Sequence, residues 1–380
     1  MKRRTGLGIW QWYLLPLAGV LSGVAAASAA DPPVLERLLP AGGQRGTTVT
    51  AKVLGKPGEG NVRLQSASAG LTFRLSEKRD TVDVDIAADV EPGVHLVRLC
   101  NDSGASELRP FIVGILPEQA ETEPNGRLAE AATLAGMAAT VNGVLEKSGD
   151  VDTWAVPLEA GQTLVASLTA SRVLSSPMDG VLQIVDGRGT VVSQNDDDCS
   201  MDPLATFQAP MNGTWYVRVF AFPAAPNSSI AFAGGADYVY RLTLAAQPYV
   251  DHVMPLVRQR GSGEQRLQLH GWNLAVQEAV LGADQTVLTG QFAQPWRVYD
   301  TAEPVLLEDQ LSERLLPALP LVVCGCLNQP GPDNFRLTLK QGQRLSLSAE
   351  VQRFSSLLDP VLSVRDRDRK STRLNSSHRT

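Results

Sequence analysis

The sequence predicts an all-β chain of tandem β-sandwiches, and three observations carry that reading. Short runs of period-2 alternation recur between turn residues. Gly and Pro are abundant, at 33 and 24 of 380 residues, and keep those runs short. The whole pattern is also written twice, in the order A-B-A′-B′. Strands that alternate bury one face each, so two sheets must pack together to close a core. A chain this long exceeds one ordinary domain.

The first element is a leader. Lys2, Arg3 and Arg4 form a positive start, Leu14 to Val24 an apolar stretch, and Ala27-Ser28-Ala29 a small-residue cleavage site. This predicts a secretory signal peptide at 1–30, hence a secreted protein, extracellular or periplasmic. The alternative is a membrane anchor, but Pro16, Gly19 and Gly23 interrupt the stretch, which is shorter than the roughly 20 residues a span needs. No second stretch is long enough to cross a bilayer, so the mature chain is expected to have no transmembrane segment.

Module A, residues 31–117, strings together GTTVTAKVLG, GLTFRLSE, DTVDVDIAAD, GVHLVRLCN and SELRPFIVG. Their alternation predicts an immunoglobulin-like sandwich. Module B spans 118–246. The second copies are A′ at 247–302, which is shorter, and B′ at 303–367, which is truncated. Leu39-Pro40 with Gln44-Arg45-Gly46 is answered by Met254-Pro255 with Gln259-Arg260-Gly261. Gly143-Val144-Leu145 is answered by Gly325-Cys326-Leu327, and Asp152-Thr153-Trp154 by Asp333-Asn334-Phe335. Asp179 and Asp186 correspond to Asp359 and Asp366 at the same separation.

Two of these modules resemble known families. LLPAGGQRGTTVTAKVLG resembles the start of an IPT/TIG-like domain. ETEPN at 121–125, GDVDTWAVPLEAGQTL, SSPMDGVLQIVDGRGTVVSQNDDD, NGTWYVRVFAF and DYVYRLTL, in that order, resemble a bacterial pre-peptidase C-terminal (PPC) domain. That resemblance implies a jelly-roll sandwich, carried outside the catalytic domain of secreted peptidases and other exported proteins. The module order is similar to that of large secreted planctomycete-type proteins. The string DRKSTRLNSSH at 368–378 resembles read-through of a sequencing adapter. Residues 368–380 are therefore expected to be a non-native tail, with the natural protein continuing beyond 367. The rival reading is a basic arm for nucleic acid or membrane.

Charge narrows the partners. The formal net charge is −6. It becomes −9 without the three leader cations and −12 without the 368–380 segment, which carries four cations and one aspartate. So acidic a chain is unsuited to phosphate backbones, and no nucleic-acid partner is expected. A bound cation suits it. Cys100, Cys199, Cys324 and Cys326 are too few and scattered for a disulfide framework. Cys324 and Cys326 are expected on one face of a strand and unpaired.

No catalytic constellation is legible. The sequence has no HExxH, no GxSxG and no P-loop. Its histidines (His95, His252, His270 and His378) lie apart in sequence, His95 and His270 within alternating segments. The visible chain is not expected to be an enzyme.

The acidic residues offer a different chemistry. In an extended segment Glu121, Glu123 and Asn125 face one side, and Asp150 and Asp152 open the next strand. Ca2+ takes six to eight hard oxygen ligands. In collagen-binding relatives of the PPC family, an ExExN segment and aspartates before an aromatic-headed strand ligate calcium. The resemblance thus implies a Ca2+ site at Glu121, Glu123, Asn125, Asp150 and Asp152. Gly126 stands where the family has a further acidic residue, which argues against a two-metal version. The alternative is a solvated linker with a good turn. B′ has no ExExN, and only Glu303-Pro304 is faintly similar.

A second group, Asn195 to Asp198 with Asp202, reads as turn residues capping their own backbone. A cation bridging Asp179 to 195–198 is the alternative. The aromatics Trp215, Tyr216, Phe220, Phe222, Tyr238 and Tyr240 gather in the last strands of B. Alternation places some outward, which suggests a platform for peptide or glycan, against the plainer reading of half core and half surface. The functional expectation is an exported, non-catalytic protein for adhesion or binding to extracellular peptide or polysaccharide. The alternatives are an accessory region of a secreted peptidase and a cell-envelope spacer.

Overall fold

The structure is a computed structural model and describes residues 31–198, 201–223, 231–351, 354, 356, 358–365 and 371–372. It is built almost entirely from β-strands. The first group comprises β1 (Val34–Leu39), β2 (Gly42–Gln44), β3 (Thr48–Lys56), β4 (Arg63–Ser66), β5 (Leu71–Leu75), β6 (Thr81–Ile86), β7 (Gly93–Asn101), β8 (Gly104–Ala105) and β9 (Arg109–Gly114). They form two sheets, ordered β1-β3-β6-β5 and β2-β9-β7-β4, with β8 beside β7. Strand β6 shows why the sequence does this. Val82, Val84 and Ile86 enter the core with Leu35, Leu99 and Phe111. Asp83 and Asp85 point outward, where they accept hydrogen bonds from Thr50 and Thr48.

The second group comprises β10 (Glu118–Ala120), β11 (Ala132–Thr133), β12 (Ala138–Val144), β13 (Asp152–Leu158), β14 (Thr163–Thr169), α1 (Ser171–Leu174), β15 (Met178–Val185), β16 (Val191–Asn195), β17 (Leu204–Gln208), β18 (Gly213–Pro223) and β19 (Val239–Ala245). Its sheets run β10-β12-β19-β14-β17 and β11-β13-β18-β15-β16. The eight strands from β12 to β19 therefore divide four and four with jelly-roll connectivity. β10 and β11 each add a parallel edge, to β12 and β13. Trp154, Leu182, Ile184, Val217, Val219, Leu242 and Leu244 fill the space between the sheets.

The aromatic platform suggested by alternation does not form as a stripe. Trp215 and Tyr240 are core residues and Phe220 is buried. Phe220 stacks on Phe232 with ring centroids 4.5 Å apart, leaving Phe222 as the exposed member of that trio. Three of the six rings are buried and the others lie partly or fully at the surface, as in the plainer reading, with β18 and β19 running through the middle of the two sheets.

The first motif recurs in smaller form in β20 (Tyr249–Met254), β21 (Val257–Gln259), β22 (Gln265–Trp272), β23 (Glu278–Leu281), β24 (Val287–Leu288), β25 (Trp296–Arg297) and β26 (Tyr299–Thr301). The β1/β3 pair has a register break at Leu35/Arg37, and the β20/β22 pair one at Val250/His252. β2 runs parallel to β9, as β21 does to β26. These strands pack on the jelly roll through one cluster, in which Tyr249 and Ala293 join Leu116, Val165 and Ala245. Arg297 pairs with Glu91 of the first sandwich. The first sandwich meets the jelly roll through Ala41, Leu174 and Val239.

Beyond residue 302 the repeat overstates the structure. Among the described residues there, β27 (Val305–Leu307) and β28 (Val322–Cys324) pair in parallel, β29 (Val364–Arg365) pairs with β30 (Ser371–Thr372), and Leu315 makes an isolated parallel bridge to Arg336. Within the second copy expected at 303–367, residues 333–351 are largely irregular and exposed. Cys100 and Cys324 are buried free thiols; Cys326 is a half-exposed free thiol that lies past the end of β28 rather than within it. The leader, Cys199 and most of 368–380 lie outside the described residues. Among the described residues no helix is long and apolar enough to cross a membrane.

Candidate metal centre

β10 leads directly into the ExExN segment, which passes over the open end of the jelly roll between β12 and β13. Three contacts hold it there. The Glu121 N–H donates to Asn142 O at 3.0 Å, Glu121 Oε1 accepts the Val144 N–H at 2.7 Å, and the Thr153 N–H donates to Asn125 O at 3.1 Å. Gly143 is required at the crossing: a Cβ there would overlap both the Tyr240 ring and the Glu121 carboxylate. The segment is thus fixed to strands rather than left as a free linker.

This path brings Glu121, Glu123 and Asp152 together, with one carboxylate oxygen of each within 4.8 Å of the others. Among the described residues it is the one place where three such ligand atoms converge. Tyr240 bridges two of them, donating to Asp152 Oδ2 at 2.7 Å and lying 3.3 Å from Glu121 Oε2. Glu123 Oε2 accepts the Asn125 N–H at 3.1 Å.

Asn125 is buried, and neither of its side-chain polar atoms has a hydrogen-bond partner. Asp152 Oδ1 is likewise buried and unpartnered. A buried polar group left so costs about 1–3 kcal/mol. Asp150 lies outside the carboxylate triangle, because its Oδ2 accepts the Glu146 N–H at 2.6 Å. Four of the five expected ligands thus offer an oxygen that is either clustered or orphaned, and the fifth borders them.

The electrostatics point the same way. Burial, followed by the charge of Asp152, pushes Glu121 up to about 9. Burial pushes Asp152 up to about 7, against the Tyr240 hydroxyl, which lowers it. Glu123 is raised by burial and then by Asp150. Like charges share this site, and the first cation in the vicinity is the Lys147 ammonium, a minor influence on Glu123. The nearby Arg241 guanidinium is committed to Glu118 at 2.6 Å. The donor set of carboxylates and an amide, all hard oxygens, fits a divalent cation such as Ca2+.

Sequence reasoning missed Tyr240, whose hydroxyl completes the cluster from a strand 88 residues after Asp152. Alternation within β19 could have found it: Tyr240, Leu242 and Leu244 share the core face, and a buried tyrosine hydroxyl requires a partner. The acidic group near 195–202 differs from the expected self-capping turn: Asn195 Oδ1 is buried without a partner, and Asp202 caps a distant segment instead. Asp202 is buried and accepts the N–H groups of Ala170, Ser171 and Arg172. Glu303, weighed above as a faint echo of ExExN, instead accepts a hydrogen bond from Thr301.

Comparison with known proteins gives three results. Residues 150–221 match the family described as "Bacterial pre-peptidase C-terminal domain". Asp150 and Asp152 open that match, and Glu121, Glu123 and Asn125 precede it. A probable subtilase-type serine protease of Deinococcus radiodurans is 27% identical over 167 residues, which is 43% of this chain and 22% of that protein's length. The chain thus spans under a quarter of this relative.

Among solved structures, the pre-peptidase C-terminal domain of a Bacillus anthracis collagenase is 16% identical, with a TM-score of 0.23, over 33% of this chain and 99% of that one. A Bacteroides ovatus SGBP-B, solved with a mixed-linkage heptasaccharide, is 11% identical, with a TM-score of 0.16, over 58% and 77%. Jelly-roll topology from β12 to β19 and the match over its middle agree: the chain carries a bacterial pre-peptidase C-terminal domain at residues 150–221.

Proposed function

We propose that this is an exported, non-catalytic β-sandwich protein that binds extracellular peptide or polysaccharide, and that its pre-peptidase C-terminal module is stabilised by Ca2+. One observation carries the calcium reading. One carboxylate oxygen each of Glu121, Glu123 and Asp152 lies within 4.8 Å of the others, and the same segments carry two buried oxygens without a hydrogen-bond partner, Asn125 Oδ1 and Asp152 Oδ1. A bound divalent ion would neutralise the like charges and give those oxygens a partner. Glu121, Glu123, Asn125 and Asp152 would hold it, with Asp150 reaching it directly or through water. The protein's own contribution is placement: β10 and β13 bring the two halves of the ligand set to one end of the sandwich. Extracellular-module affinity of roughly 10⁻⁴–10⁻³ M is expected.

The leader pattern and the family of the jelly roll support export and an accessory, binding role. A second reading rests on the subtilase-type relative: the chain is an accessory region of a secreted peptidase. The test for metal is calorimetric titration of Ca2+ into chelator-treated protein, beside Glu121→Gln and Asp152→Asn variants. Saturable heat in the native protein alone supports the site; equal or absent heat in all three removes it. Retention of the protein on insoluble polysaccharide or collagen-like peptide, with and without Ca2+, tests the binding role.

A further inference from the structure

The 303–351 region keeps the frame of this site but places a different group inside it. β27 and β28 run parallel with Leu307 opposite Cys324, as β10 and β12 run with Ala120 opposite Asn142. The next residue in each case is a glutamate lying over a glycine. Glu121 covers Gly143 and Glu308 covers Gly325, and in both a Cβ would overlap the carboxylate. Glu121 accepts the Val144 N–H at 2.7 Å, and Glu308 accepts the Cys326 N–H at 3.4 Å.

The opposite side matches as well. The Leu134 N–H donates to Ala155 O at 2.8 Å, and the Leu316 N–H donates to Arg336 O at 2.7 Å. This correspondence sets Asp333 in the place of Asp152, Phe335 in that of Trp154, and Arg314 in that of Ala132. The true counterpart of Glu121 is therefore Glu308, which sequence comparison alone passed over. A shortened connection hid it: Ala132 follows Glu121 by 11 residues, whereas Arg314 follows Glu308 by 6. The five missing residues are those that would carry the rest of the ExExN segment.

What fills the space is a guanidinium. Arg314 Nη1 lies 2.9 Å from Asp333 Oδ1 and 3.4 Å from Glu308 Oε2, so one nitrogen touches both carboxylates. The group also sits over the Phe335 ring, 5.6 Å from its centroid, a cation–π placement. Glu313 and Arg314 have φ of 50° and 53°, a left-handed conformation that non-glycine residues adopt at some cost. That tight turn is what aims Arg314 inward after the shortened connection.

We propose that Arg314 is the resident cation of the second site, standing between Glu308 and Asp333 where the first site takes a divalent ion between Glu121 and Asp152. An arginine stays charged at any physiological pH and cannot be chelated away. The chain then holds one metal-dependent and one metal-independent copy of a single design, and the second copy is a latent metal site closed by its own side chain. The inference rests on the calcium reading of the first site for its contrast, but its own test is separable.

The experiment is a count of bound Ca2+ by equilibrium dialysis of the full chain, for the native protein and for Arg314→Ser. A second variant, Arg314→Gln, keeps an amide that can hydrogen-bond one carboxylate and so protects the local fold. Each variant is expected to bind one more ion than the native protein, and adding Asp333→Asn is expected to remove that extra ion. One ion in the native protein and still one in both variants would overturn the inference and leave the first site standing. No ion in the native protein and one in the variants would support the inference and overturn the first site. No ion anywhere would overturn both, and two in the native protein would show that Arg314 does not exclude metal.

Discussion

Tyr240 donates its phenolic hydrogen to Asp152 Oδ2 across 2.7 Å, and both residues are buried. The tyrosine comes from the middle of one sheet and the aspartate from the start of a strand in the other. Their contact ties the carboxylate cluster to the sandwich core. Tyr240→Phe removes a hydrogen bond to a charged acceptor while leaving the ring in place. A loss of about 1.5–3 kcal/mol is expected in metal-free protein. Urea melts with and without Ca2+ check this, and the loss is expected to shrink when an ion partners Asp152.

The cluster also fixes a pH dependence. Glu121 and Asp152 are both pushed above the usual carboxylate range, to about 9 and about 7, chiefly by burial. Glu123, Asp150 and Tyr240 face the same space, and Lys147 borders it. A raised carboxyl holds its proton more tightly folded than unfolded. Its contribution is therefore full below the ordinary value of roughly 4 and is lost as pH rises through the folded values. Metal-free protein is expected to lose stability between roughly pH 4 and 9. Calcium affinity is expected to rise over the same range, because the ion must displace protons. Melting temperatures against pH, with chelator and with Ca2+, give two curves that should diverge upward in pH; parallel curves would count against the site.

At the junction with the first sandwich, Arg241 makes a two-pronged contact with Glu118, at 2.6 and 3.0 Å, and a 2.7 Å bond to Asn142 Oδ1. Both charges are largely buried. Arg241→Met strands Glu118 and is expected to cost about 3–5 kcal/mol, whereas pairing it with Glu118→Gln should recover part of that loss. A double-mutant cycle by denaturant unfolding measures the difference.

Asp202 supplies a simpler case. It accepts three successive N–H groups at the start of α1, the shortest bond being 2.7 Å to Ser171. Asp202→Ala is expected to cost about 1–2 kcal/mol by uncapping that turn. Asp202→Asn, which keeps one acceptor oxygen, is expected to cost less. Thermal unfolding of the two variants checks the order.

Much of this was legible in the sequence, for physical reasons. Period-2 alternation in β6 and β18 declares which residues enter the core, because a pleated strand sends neighbours to opposite faces. Glu121, Glu123 and Asn125 could be grouped because that rule also governs the extended segment before β12. Tyr240 and Glu308 were not legible as site residues. Each reaches its cluster by folding over long distance, Tyr240 through the central strand β19 and Glu308 through a connection five residues shorter than its counterpart. The repeat misled at 333–351, where Asp333-Asn334-Phe335 matches the start of β13 and yet the segment is largely irregular. A strand pattern is a statement about one face, and pairing partners must come from elsewhere in the chain.

The central claim is that Glu121, Glu123, Asn125 and Asp152 form a calcium site that stabilises the jelly roll. Its most direct test is the melting temperature of the chelator-treated protein before and after millimolar Ca2+, for the native chain and for Asp152→Asn. At ten times the dissociation constant an ion adds about 1.4 kcal/mol, or a rise of roughly 3–6 °C for a domain of this size. The account predicts that rise in the native protein and its loss in the variant. An unchanged melting temperature in the native protein, or an equal rise in both, would contradict it.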